Sequence, residues 1–135
     1  MQRQLDDRTS VCGQISPSEV PSLAREGVTM LINNRPDGEE PGQPLAGEIE
    51  AAAEAAGIAY RFVPIIRGIG PSDIEEMREA RQNAGEGKLL AFCRSGTRSA
   101  LALALAWRAD GASREDVEQK LTGAGIDPGP IAHLL

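Results

Sequence analysis

The segment at 88–109 constrains the fold of this chain more than any other part of its sequence. A short apolar run at 88–92 is followed by Cys-Arg-Ser-Gly-Thr-Arg-Ser at 93–99 and then by a longer run of Ala and Leu. A short apolar run bounded by turn residues is typical of a buried strand, whereas the longer run is typical of a buried helix. The segment therefore predicts a strand, a tight loop that begins at Cys93, and a helix that begins at Ser99.

The rest of the chain alternates between strand-like and helix-like patterns that are separated by Gly, Pro and Asn. Such alternation is typical of an α/β fold with a mostly parallel central sheet flanked by helices. In these sheets the ligand site lies at the carboxyl ends of the strands, where Cys93 is expected. The predicted strands are 10–15, 28–32, 59–66 and 88–92, and the predicted helices are 17–26, 45–56, 73–83, 99–109 and 114–121.

Length, charge and hydropathy restrict the class of protein. The 135 residues fit a single domain that spans 1–135. The net charge of −6 argues against broad nucleic-acid binding, which needs a basic surface. The sequence has neither an apolar leader nor a run of about 18 apolar residues, so we expect a cytoplasmic protein that does not enter a membrane.

Cys12 and Cys93 are the two cysteines of the chain, and they lie far apart in sequence. They could form one disulfide, but free thiols in a reducing compartment are the stronger interpretation. Cys12 is predicted to be a buried small hydrophobe of the first strand. A resolving thiol is the alternative if it lies within disulfide reach of Cys93.

Cys93 is predicted to be a reactive thiolate in an anion-binding loop. Converging backbone N–H groups of a tight loop and the positive end of the following helix both favour a negative charge. Arg94 and Arg98 add positive charge, and a guanidinium can bind an oxyanion through two hydrogen bonds. These features lower the pKa of the thiol and bind an anionic substrate. Ser99 could equally be a plain helix N-cap. The remaining members of the predicted substrate loop are Ser95, Gly96 and Thr97.

A Pro- and Gly-rich loop at 33–44 supplies a second set of candidate residues. Its length approaches the upper limit for a connection without secondary structure, which favours a function. Arg35 could reach the anion site, and Asp37 could act as an acid or pair with an arginine. The alternative is a purely structural pairing of Arg35 with a loop carboxylate, because a buried arginine needs a partner. Arg67 is a weaker candidate of the same kind, and His133 is predicted to be a surface residue.

Three motifs occur in a fixed order: Gly-Gln-Ile-Ser at 13–16, Ile-Asn-Asn-Arg-Pro-Asp-Gly-Glu at 32–39, and the cysteine loop at 93–99. The cysteine loop resembles that of rhodanese-type sulfurtransferases and the phosphate loop of cysteine-dependent phosphatases. Together the motifs resemble the beta-lactamase hydrolase-like, phosphatase-like family, over about 11–109. Its domains occur alone or fused to metallo-β-lactamase-type hydrolases. The resemblance implies a dual-specificity-phosphatase-like fold and makes a metallo-β-lactamase-type hydrolase a candidate partner.

The resemblance is compatible with both sulfur transfer and phosphoryl transfer. Two features of the sequence distinguish these reactions. Four residues separate Cys93 from Arg98, as in the rhodanese loop, whereas the phosphatase signature has five. The segment at 65–70, where the phosphatase fold carries its acidic aspartate, has no carboxylate, although Asp37 or Asp73 could replace it. Sulfite leaves thiosulfate without a proton, so a missing acid matters little to a sulfurtransferase.

The sequence therefore predicts a rhodanese-like sulfurtransferase that needs no cofactor or metal. Cys93 would take the outer sulfur of thiosulfate or glutathione persulfide and pass it to a thiol or to cyanide. Arg98 would hold the anionic end of the donor, with Arg94 at the rim. Two alternatives stay open: a phosphatase that works through a phosphocysteine, and a non-catalytic regulator that binds an anion or a persulfide.

Overall fold

A computed structural model describes residues 2–135 as a five-stranded sheet with helices on both faces. The strands are β1 (Arg3–Asp6), β2 (Thr9–Cys12), β3 (Val28–Asn33), β4 (Ala59–Phe62) and β5 (Lys88–Phe92). The helices are α1 (Val20–Arg25), α2 (Ala46–Ala56), α3 (Pro71–Ala84), α4 (Thr97–Ala109) and α5 (Arg114–Gly123). Short 3-10 helices occupy Pro17–Glu19 and Gly129–Leu134.

The strand order is β1-β2-β5-β3-β4, with β5 at the centre of the sheet. β1 pairs antiparallel with β2, and every other pair is parallel. In register, Phe92 of β5 lies between Cys12 of β2 and Asn33 of β3. The loops that follow these three strands therefore emerge side by side, and the expectation of a mostly parallel α/β sheet is confirmed.

Alternate residues of the central strands pack into two separate cores. On β5, Leu89 and Ala91 face the core made with α3, α4 and α5, whereas Leu90 and Phe92 face the core made with α1 and α2. Apolar side chains on both sides of a strand are typical of a parallel sheet covered on both faces. Helix α4 is buried continuously from Ser99 to Trp107, which fixes its first turn against the end of β5.

The structure corrects several predicted boundaries. Strand β1 was not predicted, because Leu5 is its one buried residue and a polar edge strand carries no clear apolar pattern. β2 covers 9–12 rather than 10–15, and β4 ends at Phe62, before Pro64. Helix α4 begins at Thr97, two residues before the predicted start.

None of the helices within residues 2–135 is long and apolar enough to cross a membrane.

Candidate active site

The cysteine loop follows β5 and packs closely against the end of β2. The Cys93 N–H donates to the Cys12 carbonyl oxygen at 3.3 Å. Two glycines permit this approach. A Cβ atom at Gly13 would lie 2.9 Å from the carbonyl oxygen of Arg94, and one at Gly96 would lie 3.3 Å from the Cys12 carbonyl. Gly96 also has a φ of +96°, a conformation that favours glycine. The loop conformation thus depends on a segment from the other end of the chain.

The Cys93 sulfur lies among hydrogen-bond donors at the start of α4. Its Sγ accepts the Gly96 N–H at 3.1 Å. Burial alone would raise the pKa of this thiol, but the N–H groups of Ser99, Ser95 and Gly96, together with the Ser99 hydroxyl, lower it below its ordinary value of 9.0. The sequence-based expectation of a stabilised thiolate agrees with this geometry.

Ser99 is the third residue of α4 and is fully buried. Its Oγ makes no well-aligned hydrogen bond within residues 2–135, yet it lies close enough to the Cys93 sulfur to lower the pKa of that thiol. The N-cap of α4 is Gly96, so the alternative that Ser99 is a plain N-cap is wrong. The side chain of Ser99 is left to interact with the sulfur.

Glu39 joins two arginines at the edge of the cysteine loop. Its carboxylate accepts from Arg98 Nη1 at 2.8 Å and Nη2 at 2.7 Å, and from Arg35 Nε at 2.9 Å. The hydrogen bond from Arg98 is the main cause that lowers the pKa of Glu39 to about 2, with Arg35 contributing less and burial opposing. Glu39 is therefore ionised at neutral pH and cannot act as a general acid there.

Arg98 keeps one edge of its guanidinium unpaired. Nη1 donates to Glu39 and to the Ile65 carbonyl oxygen at 2.9 Å, and Nη2 donates once to Glu39. Nε and the second Nη2 proton make no well-aligned hydrogen bond within residues 2–135. The Glu39 hydrogen bonds raise the pKa of Arg98, and the nearby Cys93 thiolate raises it further. The arrangement can bind an oxyanion beside the sulfur through two donors.

Arg35 is fully buried and held by other side chains. Besides Glu39, it donates from Nη1 to Gln14 Oε1 at 3.1 Å. Glu40 Oε1 lies 3.0 Å from Nη2 as an ion pair that lacks hydrogen-bond alignment. The structure thus matches the structural alternative for Arg35, because its charge is used within the protein.

Asp37 and Asp73 are both engaged at helix N-termini. Asp37 Oδ1 accepts the Ala46 N–H at 2.8 Å at the start of α2, so of the two alternatives for Asp37 the pairing with an arginine is wrong. Asp73 Oδ2 accepts the Gly70 N–H at 2.9 Å at the start of α3. Each of these carboxylates thus has one oxygen engaged by the backbone at the start of a helix.

The remaining predicted site residues lie at the rim or away from it. Arg94 is 67 % exposed and comes within 4.0 Å of Glu40. Ser95 Oγ accepts from the Thr97 N–H at 3.4 Å and contacts its hydroxyl at 3.3 Å, within the loop. Arg67 and His133 are exposed.

Arg3 is a residue of the site that the sequence did not indicate. From β1 its Nη2 donates to the Ser95 carbonyl oxygen at 3.1 Å. Four arginines and two glutamates lie around the loop, which leaves an excess of two positive charges, or of one when the Cys93 thiolate is counted, in a chain of net charge −6. A local basic site of this kind concentrates anions. The four arginines are Arg3, Arg35, Arg94 and Arg98.

Cys12 differs from Cys93 although both are free and buried. Burial, the largest cause, raises the pKa of Cys12 to about 11. Its side chain packs in the core beneath α1 and α2, as expected for a small hydrophobe.

Alkylation should separate the two thiols by pH. We expect the half-maximal rate of Cys93 modification by iodoacetamide below pH 9.0, and that of Cys12 near pH 11. The thiolate is the reacting form, so the rate follows its fraction. Peptide mass spectrometry of samples quenched across the pH range measures both rates. In denatured protein the two profiles should coincide, and coincidence in the folded protein would contradict the site described above.

Comparisons with known proteins agree with this fold. Residues 2–110 match the family described as "Beta-lactamase hydrolase-like protein, phosphatase-like domain". A beta-lactamase hydrolase-like protein of Xylella fastidiosa is 40% identical over 127 residues, which are 93% of this chain and 29% of that protein. The chain thus spans less than a third of that relative.

Two solved structures share the fold. A candidate phosphatase of Neisseria meningitidis superposes with a TM-score of 0.76 and 28% identity, over 98% of this chain and 94% of that one. A kinase associated phosphatase, studied with its catalytic-site cysteine changed to serine, gives a TM-score of 0.71 and 17% identity, over 95% and 83% of the two chains. The predicted phosphatase-like fold is confirmed.

Proposed function

This chain belongs to the phosphatase-like domain family of beta-lactamase hydrolase-like proteins, and on that premise we propose that it is a cysteine-dependent phosphatase. The observation that carries the proposal is the unpaired Nε–Nη2 edge of Arg98 beside a thiol whose pKa is lowered. The similar Neisseria protein, described as a candidate phosphatase, supports phosphoryl transfer over the sulfur transfer predicted first.

In the first step the Cys93 thiolate attacks the phosphorus atom of a bound monoester. The S–P bond forms while the bond from phosphorus to the ester oxygen breaks, and the leaving group departs with that electron pair. Arg98 would hold the phosphoryl oxygens, while the N–H groups of Ser95, Gly96 and Ser99 stay on the Cys93 sulfur. These donors are fixed by the fold before the substrate arrives, so they stabilise developing charge without reorganising.

In the second step water attacks the phosphorus of the phosphocysteine. A P–O bond forms, the S–P bond breaks, the proton of the water passes to solvent, and the sulfur leaves as a thiolate. The Ser99 hydroxyl and N–H favour this departure because they lower the pKa of Cys93. Inorganic phosphate is released, and the starting thiolate is restored.

The state of the carboxylates around the loop restricts the leaving groups that the domain can release. Glu39 is ionised, and Asp37 and Asp73 hold helix N-termini. An alkoxide leaving group needs a proton from such a group. We therefore expect esters whose alcohol is already acidic, such as aryl phosphates, as substrates.

Sulfane-sulfur transfer is the second candidate, favoured by the same engaged carboxylates and by the four-residue spacing of Cys93 and Arg98. The thiolate would attack the outer sulfur of thiosulfate, a new S–S bond would form, and sulfite would leave with the electrons of the broken S–S bond. A thiol or cyanide would then take the outer sulfur and release the thiolate. The metallo-β-lactamase-type hydrolase partner stays a prediction.

Peptide mass spectrometry of acid-quenched protein tests the proposal. After incubation with 4-nitrophenyl phosphate we expect a phosphoryl group on Cys93, with Cys12 in the same digest unmodified as an internal control. A sulfur atom gained from thiosulfate, with no phosphoryl group from the ester, would replace phosphatase by sulfurtransferase. No adduct with either compound would favour the non-catalytic regulator and overturn both enzymatic candidates.

A further inference from the structure

An apolar cavity of about 530 Å³ adjoins the cysteine loop. It lies between the segment after β4 and the C-terminal 3-10 helix, with Arg98 in its wall. A cavity of this size, mostly apolar with few polar groups, is typical of a site for a small organic ligand. Its apolar wall is formed by Ile65, Ile66, Ile69, Leu101, Ile131 and Leu134.

The mouth of this cavity carries exposed apolar side chains. Ile66 is 76% exposed and Leu134 is 49% exposed. Four large hydrophobic residues within 2–135 are exposed, and two of them, Ile66 and Leu134, line this cavity. An exposed apolar patch next to polar residues is typical of a ligand-binding groove.

Arg98 connects the cavity to the anion site. Its Nη1 donates to the carbonyl oxygen of Ile65, a cavity residue, while the Cys93 thiolate lies close enough to raise the pKa of the guanidinium. A molecule whose anionic group meets Arg98 therefore has the cavity beside it for its organic part. The wall contains no Asp or Glu among the described residues, and Arg98 is its one permanently charged group. The charge and polarity of the site match an anion that carries an apolar substituent.

We propose that this cavity binds the apolar organic group of the substrate, so that the domain acts on aryl esters whose anionic head is held at Arg98. The inference rests on the proposed function, since it needs an anion held beside Cys93. The family match ends at residue 110, so the wall formed by the C-terminal 3-10 helix lies outside it.

Phosphonates that cannot be hydrolysed provide the probe. The affinities of methylphosphonate and hexylphosphonate are measured by their protection of Cys93 against iodoacetamide in the intact chain. We expect hexylphosphonate to bind at least about tenfold more tightly, since each buried methylene is worth about a fourfold gain. The double variant Ile66→Ser/Leu134→Ser should lower the ratio of the two affinities severalfold, because it removes two of the six apolar residues of the wall. Both side chains are exposed, so these changes leave the core intact.

Leu45→Ser is the matched control, because Leu45 is 56% exposed and does not line the cavity. It should keep the wild-type ratio. Equal affinities in the wild type, or a preference of unchanged size in the double variant, would overturn the cavity proposal while leaving the anion site in place. If neither phosphonate protects Cys93 at any concentration tested, the anion site fails, and the proposed function and this inference fall together.

Discussion

Cys93→Ser should lower the turnover of 4-nitrophenyl phosphate by on the order of 10⁴-fold or more, the scale seen when a catalytic nucleophile is removed. A serine hydroxyl is barely ionised at neutral pH, and the loop that favours a thiolate cannot compensate for that difference. Initial rates of 4-nitrophenol release measure the effect. The same variant should form no covalent adduct when it is quenched during turnover.

Cys12→Ser provides the matched control for that loss. This variant makes the same sulfur-to-oxygen exchange in a buried cysteine of β2, the strand beside β5. The pKa of Cys12 is raised, whereas that of Cys93 is lowered. We expect its turnover to stay within severalfold of the wild type, although its stability falls. If the two variants lose activity equally, the loss reports unfolding. If Cys93→Ser keeps its turnover, the nucleophile lies elsewhere.

Glu39→Gln should lower the free energy of unfolding by about 2–4 kcal/mol, because it leaves the buried Arg35 and the half-buried Arg98 short of a counter-charge. The figure lies below the full penalty for a broken buried pair because the Glu39 side chain is 27% exposed. Urea unfolding at neutral pH measures it. The wild-type carboxylate has a lowered pKa, so its stabilisation is complete above about pH 4.5 and is lost as the pH falls towards 2. The difference in free energy of unfolding between the wild type and Glu39→Gln should therefore disappear as the pH falls from about 4.5 to 2.

Glu40→Gln removes the neighbouring carboxylate, which also contacts Arg35 but is 46% exposed. We expect a loss of at most about 1 kcal/mol, the usual range for an exposed pair. Equal losses in the two variants would contradict the distinct role given to Glu39. A gap between wild type and Glu39→Gln that does not change between pH 4.5 and 2 would contradict it as well.

The central part of the site could be predicted because its signals are local. The apolar run of β5, the polar loop and the Ala- and Leu-rich α4 follow one another without interruption, and each has its own pattern. β3 and α2 were likewise bounded by Asn, Pro and Gly. Once the sheet was expected to be parallel, the position of Cys93 at the carboxyl end of a strand followed.

The partners of the loop could not be predicted, because they depend on tertiary contacts. Asp37 and Glu39 lie two residues apart, and nothing in the sequence distinguishes the carboxylate that meets Arg98 from the one that caps α2. Arg3 was missed together with its edge strand. The hydroxyl of Ser99 lies near the sulfur, rather than at the N-cap, because α4 begins earlier than its apolar pattern indicates.

The close contact of the cysteine loop with β1 and β2 has a consequence for the order of folding. Arg3 and Ser95 lie 92 positions apart in the chain, and their contact needs the sheet to be assembled from both ends. Contacts of such separation form late, because the entropy of closing the chain must be overcome first. Before then Cys93 is an ordinary thiol, mostly protonated and slow to oxidise. The lowered pKa of Cys93 is therefore a property of the folded loop, in which Ser95, Gly96 and Ser99 donate to the sulfur.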